Sequence, residues 1–159
     1  MAQVALVTGA ARGIGFGTAK ALAHAGFSVA LNGLVEDPDL TTAVAELSCI
    51  GPAIAAPFDV TDLSQHAAML AQIEDRLGPL TTLVNNAGVG VLRRGDPLDV
   101  TEASWDRCMN VNAKAVFFLT QAFSKQILSR PRDPDLFHAI ITVSSSNARA
   151  VAEPRSEYA

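Results

Sequence analysis

The sequence predicts an α/β fold: a doubly wound parallel sheet with helices on both faces. Three observations predict it. Short apolar runs alternate with longer stretches that carry apolar residues at helical spacing. Those runs are short and strongly apolar, as strands covered on both faces are. A glycine-rich turn directly follows the first of them. Right-handed crossovers between parallel strands then wind the sheet both ways from its middle.

Each element has its own signal. Val4–Val7 reads as the first strand, ended by Thr8-Gly9. Residues from Gly15 to Ala25 repeat apolar positions at helical spacing, and Gly26 suits the position just past a helix end. Phe27–Leu31 is the second strand. Leu40 to Leu47, preceded by Pro38, is the second helix. Ala53–Phe58 is the third strand, followed by Asp59. Thr61 or Asp62 caps a helix that runs to Leu77 and stops at Gly78-Pro79. Thr82–Val84 is the fourth strand, ending in Asn85-Asn86. Thr101 opens a long helix to Leu128, with Glu102 and Asp106 near its positive end. Residues 130–134, which include Arg132 between two prolines, form a loop. Ala139–Val143 is the fifth strand, and three serines follow it.

Residues 1–159 read as a single domain, without internal repeat, low-complexity tract or linker. A further helix is expected to begin at the chain's last residue. On that expectation the five strands belong to a larger sheet whose C-terminal part is missing.

Composition narrows the function. Of 159 residues, 49% are hydrophobic and 18% charged, which supports a packed core and not a disordered chain. A net charge of −4 and a pI near 5.2 oppose a phosphate-neutralising surface, so no nucleic-acid partner is expected. No apolar run approaches the ~20 residues that cross a bilayer, so no membrane role is expected. The first apolar run lacks a basic segment before it and is cut short by Thr8-Gly9, unlike a signal peptide. Cys49 and Cys108 form no C-x-x-C pair, which suits a reducing cytoplasm. His24, His66 and His138 are scattered, with no spacing that suggests a metal site.

The strongest chemical signal is Thr8-Gly9-Ala10-Ala11-Arg12-Gly13-Ile14-Gly15, between the first strand and the first helix. A pyrophosphate needs close backbone and unpaired N–H groups. Glycines allow the approach, and a helix N-terminus supplies the donors. The spacing is G-x-x-x-G-x-G, which differs from the G-x-G-x-x-G fingerprint.

Further residues follow in order. Asp59-Val60 comes after the third strand and Asn85-Asn86-Ala87-Gly88 after the fourth. Asn112 stands in the long helix, Ser145 follows the fifth strand, and Tyr158 comes 13 positions after Ser145. With the glycine turn, this series resembles the short-chain dehydrogenase/reductase family in its single-domain branch, and is most similar to 3-oxoacyl-carrier-protein reductases. The resemblance implies a Rossmann fold and an NAD(P)-dependent oxidoreductase. It assigns the cofactor to Gly9, Arg12, Gly13, Ile14, Gly15, Asp59, Val60, Asn86, Ala87 and Gly88. Asp59 would hold the adenine amino group. Asn112, Ser145 and Tyr158 would be catalytic.

In that chemistry the cofactor carries a hydride, while the protein orients it and manages the proton. Ser145 would hydrogen-bond the substrate oxygen and Tyr158 would exchange its proton. A free phenol ionises at about 10, so work near neutrality calls for a cation beside it. The resemblance implies a lysine four residues after the tyrosine, which lies past Ala159. Asn112 would hold a water leading from that lysine to solvent. The expectation is an active full-length gene product and an inactive 159-residue piece. A homodimer or homotetramer is implied, with Trp105, Phe117, Phe118 and Phe123 of the long helix in the core or at a subunit contact. The substrate would be a small-molecule or acyl-chain carbonyl compound.

For the nicotinamide, an acid ending the second strand would favour NAD, by binding the ribose hydroxyls and repelling a 2′-phosphate. That place falls at Asn32 or Gly33, neither acidic, and Arg12 would favour a 2′-phosphate. The reading prefers NADP over NAD. The main alternative is a nucleotide-binding regulator that kept the fold and lost the chemistry. A methyltransferase using S-adenosylmethionine fits less well, since such sites want an acid after the second strand.

Overall fold

A computed structural model describes residues 3–131, 133–150 and 153–158; Arg132 of the loop and Ala159 lie outside them. Five parallel strands form one sheet: β1 Val4–Val7, β2 Ser28–Leu31, β3 Ala53–Ala55, β4 Leu80–Asn85 and β5 Ala139–Thr142. Their spatial order is β3-β2-β1-β4-β5. The chain leaves β3 at one edge and returns beside β1 as β4. The order therefore reverses between β1 and β4, and a crevice opens there at the strands' carboxyl ends.

Side-chain alternation along β1 divides the core into two layers. Val4 and Leu6 pack with Leu70, Ile73, Leu119 and Phe123 on one face. Val7 packs with Ala19, Ala23, Leu40 and Leu47 on the other. The second layer covers α1 (Gly13–His24) and α2 (Pro38–Ser48). The first covers α3 (His66–Leu77) and α5 (Val116–Leu128).

Local chemistry sets the ends of these helices. Gly26 adopts a φ of 88° after α1 and Gly78 a φ of 94° after α3, a region open to glycine without steric cost. Asp37 caps α2 by accepting from Leu40 N at 2.8 Å, and Thr101 caps α4 (Glu102–Met109) by accepting from Ser104 N at 3.3 Å. Asp62 and not Thr61 caps the third helical region. It does so over a 3₁₀ turn, Leu63–Gln65, that precedes α3.

Two expectations are corrected. The third strand ends at Ala55, because past it the carbonyls of Ala56 and Phe58 accept from the Asn32 side chain and not from a strand backbone. The long helix is not regular: a π-helical stretch, Asn110–Ala115, separates α4 from α5. Of the four aromatic residues on it, only Phe123 is buried, while Trp105, Phe117 and Phe118 are exposed. Strand β5 also carries exposed apolar residues, Ile140 and Ile141. Among the described residues, no helix is long and apolar enough to cross a membrane.

Candidate active site

The glycine turn takes its shape from two positive φ angles, 61° at Gly9 and 61° at Gly13. At Gly15 the need is for space. A Cβ there would overlap the Gly9 carbonyl oxygen and the Asn86 amide, so only glycine lets α1 sit against the turn. Around Gly13 the space is open. The first N–H groups of α1, at Gly13, Ile14 and Gly15, have no helical acceptor and no other partner among the described residues. Ile14 is exposed beside them. Bare backbone, a helix N-terminus and room for a ligand are what a pyrophosphate requires.

Two side-chain amides lock the turn to the sheet. Asn86 Nδ2 donates to Thr8 O at 2.8 Å and Gly9 O at 3.1 Å. Thr8 Oγ1 accepts from Asn86 N and Ala87 N, both at 2.9 Å. Asn32, buried at the end of β2, accepts from Gly9 N at 3.2 Å. Its Nδ2 faces the carbonyls of Gly33, Ala56 and Phe58 at 3.0, 3.1 and 2.9 Å. Asn32 thus holds three chain segments together, with its amide engaged by backbone groups.

Two cavities meet along residues 86–89. One, of about 630 Å³, is lined by Gly9, Arg12, Gly33, Asp37, Asp59 and Val60 before it reaches Asn86, Ala87 and Gly88. Asp59 is not a helix cap. Its Oδ1 accepts from Thr61 N at 2.8 Å and Thr61 Oγ1 at 2.7 Å, closing a turn at the cavity wall. Arg12 meets Asp39 at 3.8 Å, but both side chains are largely in solvent, so the pair is weak.

The other cavity, of about 570 Å³, runs past Ile14 and residues 86–88 to Asn112, Ser145 and Tyr158. Ser145 and Tyr158 therefore face one space, reached from the glycine turn without a break in the lining. Ser145 Oγ accepts from Asn147 N at 3.2 Å, which leaves its hydroxyl hydrogen free to donate. Asn112 lies in the π-helical stretch. Its Oδ1 accepts from Val89 N and its Nδ2 donates to Val89 O, each at 2.9 Å. It fixes the wall of the cavity.

Two residues escaped the sequence reading. Arg155 lines the cavity that holds Ser145 and Tyr158. Glu157, next to Tyr158, is buried and accepts the Ser104 hydroxyl at 2.5 Å, while Ser104 Oγ accepts from Leu92 N at 3.1 Å. This bond fastens the Tyr158 segment to α4. The Ser104 hydroxyl holds the Glu157 carboxyl below its ordinary range, and burial pushes the nearby Cys108 thiol up. No spacing rule marks a serine 53 positions from its glutamate.

The short chain dehydrogenase family model matches residues 3–159. The chain belongs to the short-chain dehydrogenase family. It is 38% identical over 132 residues to galactitol 2-dehydrogenase of Agrobacterium fabrum, covering 82% of this chain and 49% of that protein. It is 41% identical over 129 residues to gluconate 5-dehydrogenase of Gluconobacter oxydans, covering 80% of this chain and 49% of that protein. The structure of a 3-oxoacyl-[acyl-carrier protein] reductase from Brucella melitensis in complex with NAD matches with a TM-score of 0.90 at 35% identity. That match covers 99% of this chain and 61% of the other. The chain thus spans about half the length of the curated relatives it matches.

Proposed function

We propose that this chain forms the cofactor-binding and proton-transferring part of an NAD(P)-dependent oxidoreductase that interconverts a carbonyl and an alcohol. The observation that carries this reading is the continuous lining from the glycine turn to Ser145 and Tyr158. The relatives' names support it, since all three are dehydrogenases or reductases. They span a polyol, a sugar acid and a 3-oxoacyl thioester, so a small-molecule or acyl-chain carbonyl compound is the substrate class.

When bound, the cofactor supplies or accepts the hydride. The N–H groups of Gly13, Ile14 and Gly15 hold its pyrophosphate, Gly9 and Arg12 shape the entrance, and Asp59 and Val60 flank the adenine. Asn86, Ala87 and Gly88 form the floor between the two cavities. Ser145 donates its hydroxyl to the substrate oxygen, stabilising the charge that develops there during reduction. Tyr158 gives that oxygen its proton and recovers one from solvent. Asn112 acts as a positioning residue through Val89. NADP(H) is preferred, because the residues that directly follow β2, Asn32 and Gly33, carry no acid and Arg12 lines the cavity; Asp37 lines it too, with its carboxylate engaged as the cap of α2. The exposed aromatic face of Trp105, Phe117 and Phe118 is covered by a second copy in a homodimer or homotetramer, and the two free thiols suit the cytoplasm.

The test is carbonyl-dependent oxidation of NADPH and NADH by the full-length protein. Tyr158→Phe should lower kcat at least ~100-fold, within the usual range for loss of a general acid, and leave cofactor binding intact. Undiminished turnover in Tyr158→Phe would remove the proposed role, and tighter binding of NADH than NADPH would reverse the cofactor preference.

A further inference from the structure

The cavity that holds Ser145 and Tyr158 is lined almost entirely by apolar and neutral polar groups. Among the described residues, Arg155 is the one charged residue in that lining. Its side chain is half-buried, and its Nε is buried without a hydrogen-bond partner among the described residues. It forms no ion pair there either, the described pairs being Arg12–Asp39, Lys20–Glu46 and Arg130–Glu74. The acids beside it in sequence are otherwise placed: Glu157 is bound to Ser104, and Glu153 is exposed.

The Nε is enclosed by protein and closed to a ligand; a guanidinium without an ion pair beside a cavity is still costly, and a planar anion offsets that cost by taking two parallel hydrogen bonds from its terminal nitrogens. Arg155 and Tyr158 belong to one turn, since Tyr158 N donates to Arg155 O at 3.1 Å. An anion on Arg155 would therefore lie a short chain's length from the reacting oxygen.

We propose that Arg155 is a specificity-determining residue that binds the carboxylate of a short hydroxy- or keto-acid substrate. This rests on the oxidoreductase reading above and narrows its substrate class. The guanidinium takes the carboxylate, Ser145 and Tyr158 take the carbonyl or hydroxyl oxygen, and the carbon between them faces the cofactor cleft.

The experiment compares acetoacetate with methyl acetoacetate, and 5-keto-gluconate with the neutral ketose fructose, in the full-length protein. The wild type should favour each acid over its neutral partner in kcat/KM by ~10-fold or more, as loss of a hydrogen bond to a charged group implies. Arg155→Met should collapse that ratio, chiefly through KM for the acid, and Arg155→Lys should restore part of it. Equal losses on acid and neutral substrates would overturn the proposal. So would loss of NADPH binding in Arg155→Met, which would assign the guanidinium to a cofactor phosphate. Equilibrium binding of the same acids to the cofactor-loaded protein separates the two claims. Binding that vanishes in Arg155→Met supports the carboxylate site even where turnover is absent, and no binding to the wild type overturns it. Wild type that binds cofactor and acid yet reduces no ketone would defeat the oxidoreductase reading alone.

Discussion

Asn32→Asp is the substitution that sequence logic would choose to turn cofactor preference toward NAD. It puts an acid at the end of the second strand, where a ribose hydroxyl would be read. The structure predicts that it damages the fold instead. Asn32 Nδ2 faces three carbonyl oxygens, those of Gly33, Ala56 and Phe58. Gly33 O keeps the Phe58 N–H at 3.0 Å, but Ala56 O and Phe58 O have no other partner among the described residues. An ionised aspartate would turn negative oxygens toward these carbonyls at a site only 2% exposed. A protonated one would have a single donor for them. Stranding two buried carbonyls at ~1–3 kcal/mol each costs about 2–6 kcal/mol. A drop in Tm on the order of 10 °C follows for a domain of this size. Chemical and thermal denaturation of the full-length protein, with NADH and NADPH titrations alongside, checks this. A variant within about 2 °C of wild type that gains NADH affinity would refute the reasoning.

Other outcomes follow from the same contacts. Gly15→Ala should destabilise by ~1–3 kcal/mol through overpacking and should weaken NADPH binding, since its Cβ would strike the Gly9 carbonyl. Gly17→Ala on the same helix meets nothing within 4 Å and should be neutral or slightly stabilising, so equal losses in both would contradict the packing argument. The Glu157 carboxyl is held below its ordinary value by Ser104. Its contribution is therefore full above the unfolded value of about 4.3 and is lost as pH falls through the lower folded value. The gap in denaturation midpoint between wild type and Ser104→Ala should narrow from neutral to acid pH, leaving the pH-independent share of the bond from Leu92 N to Ser104 Oγ. Parallel curves would show that the bond carries no such linkage.

Much of the fold was legible because it follows from local periodicity. Val4–Val7 fell where the pattern put it, and Gly26 and Thr101 ended and opened helices as glycine and threonine do. The strand β3 and the π-helical stretch were not legible. β3 ends early because the Asn32 side chain takes the carbonyls of Ala56 and Phe58, 24 and 26 residues away. Within the π-helical stretch Asn112 bonds the Val89 backbone, again a contact between distant segments that local periodicity does not show. At the candidate site the glycine turn was legible through its φ angles and tight packing. The structural tie made by Asn32 was not legible, since its identity does not reveal that its amide faces inward. Arg155 and Glu157 were overlooked beside Tyr158, because only the fold shows one lining a cavity and the other fastened to Ser104.

The most direct test is a crystal structure of the full-length protein with NADPH. The account predicts pyrophosphate on the N–H groups of Gly13, Ile14 and Gly15, adenine beside Asp59 and Val60, and the nicotinamide over Gly88 toward Ser145 and Tyr158. A dinucleotide seated elsewhere, or lying in this cleft with its nicotinamide turned away from Tyr158, would contradict it.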